Sequence, residues 1–156
     1  MGFSDKMRDS LGAEGATLRA EPPPERLTAG SLATTKIVVV GGTRPVQVDH
    51  LTLRIVQAKR RWIRDDGTSI SEHEAQGLVD RAGLTAAWDR ATLSEQKVRI
   101  GEALSAGERH EMSVELAIPD NCESTAPGCT HTLNVQASVK GQIDPATNAK
   151  LTLASA

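Results

Sequence analysis

Aromatic side chains are almost missing from this chain: Phe3, Trp62 and Trp88 are the whole inventory, and tyrosine is absent. A core must therefore be built from Val, Leu, Ile and Ala. No stacking platform for bases or sugars is available, which counts against an RRM- or OB-type binder of single strands. No run of about 18 apolar residues occurs, so no segment reads as a membrane-spanning helix. The net charge of −2 gives no overall pull toward nucleic acid or membrane. The opening MGFSDKMRDSLG lacks the apolar stretch of a signal peptide, and Lys6 stands where a myristoylation signal needs Ser or Thr. A cytoplasmic location is the resulting expectation.

The motifs of common chemistries are also absent. Gly41-Gly42 is not followed by Lys-Ser/Thr, and no G-x-G-x-x-G or G-x-S-x-G occurs. His50, His73, His110 and His131 are too dispersed for H-E-x-x-H. The two cysteines, Cys122 and Cys129, bracket the loop ESTAPG; two reduced thiols are the expectation in the cytosol, a loop-closing disulfide the alternative. A metal site of Cys122, Cys129 and His131 is the strained reading and ordinary loop and strand residues the plain one. No enzyme, no cofactor, no metal and no small-molecule substrate are expected.

What is present is alternation. In residues 107–120, Met112, Val114, Leu116 and Ile118 alternate with mostly polar neighbours, the signature of a half-buried strand between Gly107 and Pro119. Leu133, Val135, Ala137 and Val139 repeat the pattern with Asn134, Gln136, Ser138 and Lys140 facing the other way. Two such strands need a covering layer. Residues 15–21 supply a first strand with Ala16, Leu18 and Ala20 on one side, followed by a rigid triple-proline tract. Residues 32–40 are the strongest β run, and Gly41-Gly42 turns the chain.

Next comes VQVDHLTLRIVQAKRRWIR, in which Val46 and Val48 hold one phase and Leu51, Leu53 and Ile55 the other. The slip at Asp49-His50 reads as a β-bulge in one long bent strand reaching Trp62. Asp65-Asp66-Gly67 is a turn. Ser71 with Glu74 fits a capping box, predicting a helix over 72–82, with an extended hairpin limb as the competitor because Gly77 weakens the helix. Residues 84–91 carry no decisive pattern. Further strands are expected at 96–103 and 149–154, and a short helix at 1–12 with Phe3, Met7 and Leu11 as its stripe, or else a tail. About seven short strands with scarce helix predict an all-β antiparallel sandwich, one domain over 1–156 with 65–91 as an insertion.

The conspicuous surface feature is the basic strand end Lys59, Arg60, Arg61, Trp62 and Arg64. On a strand, Lys59 and Arg61 point one way and Arg60, Trp62 and Arg64 the other. Trp and Arg are favoured interface anchors, so these five residues are the candidate partner-binding set. Phosphate on nucleic acid or an anionic membrane is the weaker reading, since Asp65 and Asp66 offset the field. The plain alternative is a strand end with paired arginines and a Trp capping the core.

The opening MGF with Lys6, Leu11-Gly12 and Gly15-Ala16, then Ala29-Gly30, Gly41-Gly42 and the V-x-V-D-x-L-x-L run of Val46, Val48, Asp49, Leu51 and Leu53, resembles the bacterial sporulation-control proteins (stage-zero sporulation protein M). Gly107, His110, Ile118 and Pro119 extend the resemblance. It implies an arrestin-N-like sandwich, the first of the family's two, with a regulatory or scaffolding role and no chemical step. No functional residues transfer with it. The partner expected is another protein or a second copy, met through edge strands.

Overall fold

The computed structural model describes residues 15–155; the helix expected at 1–12 lies outside them. The alternating segments form eight strands in two antiparallel sheets. β1 (Thr17–Glu21), β2 (Leu32–Val40) and β6 (Arg109–Ala117) make the smaller sheet, in the order β1-β2-β6. The larger is centred on β3 (Val46–Ile63), flanked by β5 (Thr85–Leu104) and β7 (Cys129–Val139), with β8 (Ala146–Leu151) beyond β7. The three-residue β4 (Ser69–Ser71) pairs with the far end of β3, at Arg61, Trp62 and Ile63.

The inward phases meet as the alternation requires. Val48, Leu51, Leu53 and Ile55 of β3 and Leu133, Val135, Ala137 and Val139 of β7 face Ile37, Val39, Val114 and Leu116 of the smaller sheet, all buried. Among the described residues no aromatic side chain belongs to this core. Removal of such apolar area from water, at roughly 25 cal/mol per Å², is the main stabilising contribution. The slip at Asp49 is a bulge: Val48 pairs with Val139 and His50 with Ser138, leaving Asp49 extra. Gly41 is required by close approach, since a Cβ there would stand 2.4 Å from the Ser105 carbonyl oxygen.

Three expectations change. The capped helix is only α1 (Glu72–Gln76); Ser71 Oγ accepts the Glu74 N–H at 3.1 Å, but Gly77 caps the helix after Gln76, six residues short of Ala82. Residues 85–91 are extended, because β5 runs for 20 residues against β3. The last strand ends at Leu151, although Leu153 still points inward and is buried.

Candidate functional site

Beyond Ile55 the alternation of β3 continues past the end of the apolar core, and its residues become polar. Gln57, Lys59 and Arg61 follow the inward phase; Arg60 and Trp62 hold the outer one. Each cation meets a carboxylate. Lys59 Nζ lies 3.1 Å from Glu123 Oε2, and Arg61 Nε donates to Asp89 Oδ2 at 2.9 Å. Arg60 forks onto Glu72, with Nε donating to Oε2 at 2.8 Å and Nη2 to Oε1. Trp62 Nε1 donates to Glu72 Oε2 at 2.7 Å and Gln76 Nε2 to Oε1 at 3.2 Å, so both oxygens are shared. The Arg60 guanidinium also lies 4.9 Å from the ring centre of Trp62 and 5.5 Å from that of Trp88, its cross-strand neighbour.

Glu72 is delivered by the Ser71 cap, and its stem presses on Gly128, where a Cβ would sit 2.6 Å from Glu72 Cγ. The Arg60 hydrogen bond, aided by Trp62 and Gln76 against the opposing effect of burial, holds the Glu72 carboxyl down to about 2. Arg64 has no such partner among the described residues; Asp66 is held low mainly by hydrogen bonds from Thr68, with the Arg64 charge a smaller cause. The basic set is thus split between two faces and largely neutralised. A cleft of about 640 Å³ adjoins it, lined by Gln57, Lys59, Arg61, Glu72, His73, Asp89, Glu123 and Cys129 among others.

At the inner end of this region His131 is buried on β7. Gln57 Oε1 accepts the Glu123 N–H at 3.0 Å and lies 2.9 Å from His131 Nε2; Thr125 Oγ1 lies 2.9 Å from Nδ1 and accepts the Leu153 N–H. These partners fit a neutral ring with the proton on Nε2, and burial lowers its pKa. Cys122 and Cys129 are unbonded and buried, and burial raises both thiols, making them weak nucleophiles at neutral pH. Cys129 Sγ lies 4.0 Å from His131 Nε2, yet no cluster of three or more metal-ligating side chains occurs among the described residues. His110 faces Glu102 at 3.4 Å, His73 is on α1 and His50 beside the bulge, so the histidines do not converge.

A second feature is the open side of the sandwich. Among the described residues β5 pairs with β3 alone and β6 with β2 alone, and the two sheet edges are stitched by Gln96 Nε2 donating to the Glu115 carbonyl at 2.8 Å. Along it Leu93, Val98, Ile100 and Met112 are only partly buried against the core. Among the described residues no helix is long and apolar enough to cross a membrane.

The sequence profile of the SpoOM protein family matches residues 4–154. The chain belongs to that family. Its sandwich superposes on the crystal structure of Spo0M, a sporulation control protein from Bacillus subtilis, with a TM-score of 0.68 at 14% identity, covering 89% of this chain and 49% of that one. It therefore spans about half the length of that structure, and the likeness speaks to fold. The CARDB domain of the PF1109 protein from Pyrococcus furiosus matches with a TM-score of 0.41 at 10% identity over 89% of this chain and 87% of that one, too distant to carry an argument. No protein of curated function matches the sequence.

Within this SpoOM-family sandwich, sequence reasoning found the basic residues but missed their partners Glu72, Glu123 and Asp89. It also missed the Gln57–His131–Thr125 chain. The available signal was a polar residue in the inward phase of each strand: Gln57 two after Ile55, and His131 two before Leu133.

Proposed function

We propose that this SpoOM-family chain is a non-enzymatic regulatory or scaffolding module of the cytoplasm that holds a protein partner, or a second copy of itself, along an open strand edge. The regulatory role follows the description of the Bacillus subtilis relative as a sporulation control protein. The observation that carries the docking is β5, which among the described residues has no strand paired on one side along its 20 residues, about 65 Å of backbone. An open edge presents a row of N–H and C=O groups that another strand can take up. The cleft beside Arg60 supports no chemical step: its carboxylates are engaged with cations and its thiol is shifted toward the protonated form.

The rival reading, an anionic membrane or nucleic-acid binder through Lys59, Arg60, Arg61 and Arg64, draws less support, since three of those four cations already face carboxylates. Light scattering on the purified chain together with a pull-down from native lysate tests the edge. The expected result is a dimer or a retained partner that is lost in one of Lys97→Pro and Val98→Pro, whichever removes an outward N–H while leaving the β3 ladder intact. A chain that stays monomeric at high concentration and retains nothing would rule the reading out.

A further inference from the structure

Beside the buried half of β3, the open edge of β5 keeps an unbroken register over residues 94–99. Leu93 is an extra residue between the pairs Ser94–Ile55 and Thr92–Val56, and the register shifts again beyond Arg99 near Gly101, whose φ is +63°. Within that stretch the two faces differ sharply. Glu95, Lys97 and Arg99 stand opposite Arg54, Thr52 and His50, whose β7 partners Asn134, Gln136 and Ser138 form the outward phase of an otherwise buried strand. Glu95 is engaged by Arg54, with Nη2 2.9 Å from Oε1. Lys97 and Arg99 have no ion pair among the described residues; Asp49 shares their shallow depression without closing one. On the inner face Val98 and Ile100 sit at the border of the core, half-covered.

We propose that this edge takes an extended segment of an acidic partner protein, with Asp or Glu beside Lys97 and Arg99 and apolar residues beside Val98 and Ile100. The proposal rests on the edge-docking reading above and adds the chemistry that selects the partner. Main-chain hydrogen bonds to β5 accept any sequence, whereas side chains on alternate faces discriminate. Acidic residues on the outer face meet two unspent cations, and apolar residues on the inner face cover the border of the core that Gln96 bridges. A basic strand would meet like charge there.

The test uses the whole chain and two labelled eight-residue peptides, one alternating Glu and Val, the other Lys and Val, titrated by fluorescence polarisation. The Glu-Val peptide should bind, and the Lys-Val peptide at least roughly tenfold more weakly, with the gap narrowing in high salt. Lys97→Glu combined with Arg99→Glu should reverse the preference, while Lys59→Ala with Arg61→Ala should leave it unchanged. Equal binding of both peptides overturns the acidic partner and leaves edge docking standing. Loss of preference in the Lys59/Arg61 variant would move the site to the cleft and overturn the proposal. Binding of neither peptide by a chain with a β-type circular dichroism spectrum removes edge docking itself. Binding of anionic vesicles in its place would assign the cations to a lipid surface and overturn the proposal too.

Discussion

The two halves of β3 run on one alternation and are held by different physics. From Val48 to Ile55 the inward side chains are apolar and fully buried; from Lys59 to Ile63 every side chain is at least partly exposed, and order comes from ion pairs to Glu123 and Asp89 and from the hydrogen bonds of Arg60 and Trp62 to Glu72. Burial is non-directional and tolerant, so the first half needs only the right phase. The second half needs particular atoms at particular places, and so depends on α1, on Gly128 and on the cross-strand Trp88. A period-two pattern sets where side chains point in both; what they meet decides how much each contributes.

This contrast can be broken by measurement. Leu53→Ala, in the buried half, is expected to cost about 2–5 kcal/mol in urea unfolding at pH 7, because little around it can collapse into the space. Glu72→Gln should cost less, about 1–3 kcal/mol, since it weakens several hydrogen bonds at a site only partly removed from water. The Glu72 effect carries a pH signature. Its folded pKa of about 2 lies below the ordinary 4.5, so its contribution is complete above 4.5 and fades as pH falls from there toward 2. The stability gap between wild type and Glu72→Gln should therefore close across that window, and a gap constant from pH 7 to pH 2 would contradict the hub role of Glu72.

The smallest effect is expected from Lys59→Ala with Arg61→Ala. Both pairs are half-exposed, and surface pairs of this kind contribute under about 1 kcal/mol each. A loss rivalling Leu53→Ala would erase the distinction between the halves.

The sandwich was largely legible because a shared interior imposes phase. Met112 through Ile118, Leu133 through Val139 and the slip at Asp49 all read directly from the sequence, as did the Ser71 cap. Residues 85–91 were illegible for the converse reason. That part of β5 runs past the core beside the polar half of β3, so no buried face stamps a rhythm on Ala86, Trp88 and Arg90. The basic strand end was half-legible: alternation predicted which side chains share a face, but Glu72, Glu123 and Asp89 arrive from 12, 64 and 28 residues away. Pairing over such separations depends on the fold and leaves no local trace. The helix over 72–82 stopped early because Gly77 prevailed over a cap that stabilises only the first turn.

Trp62 and Trp88, the chain's two tryptophans, both lie against Arg60. Intrinsic emission therefore samples one end of one ribbon and is blind to the aliphatic interior. Followed beside far-ultraviolet dichroism during unfolding, it offers a native optical gauge of whether that end lets go before the sheets part.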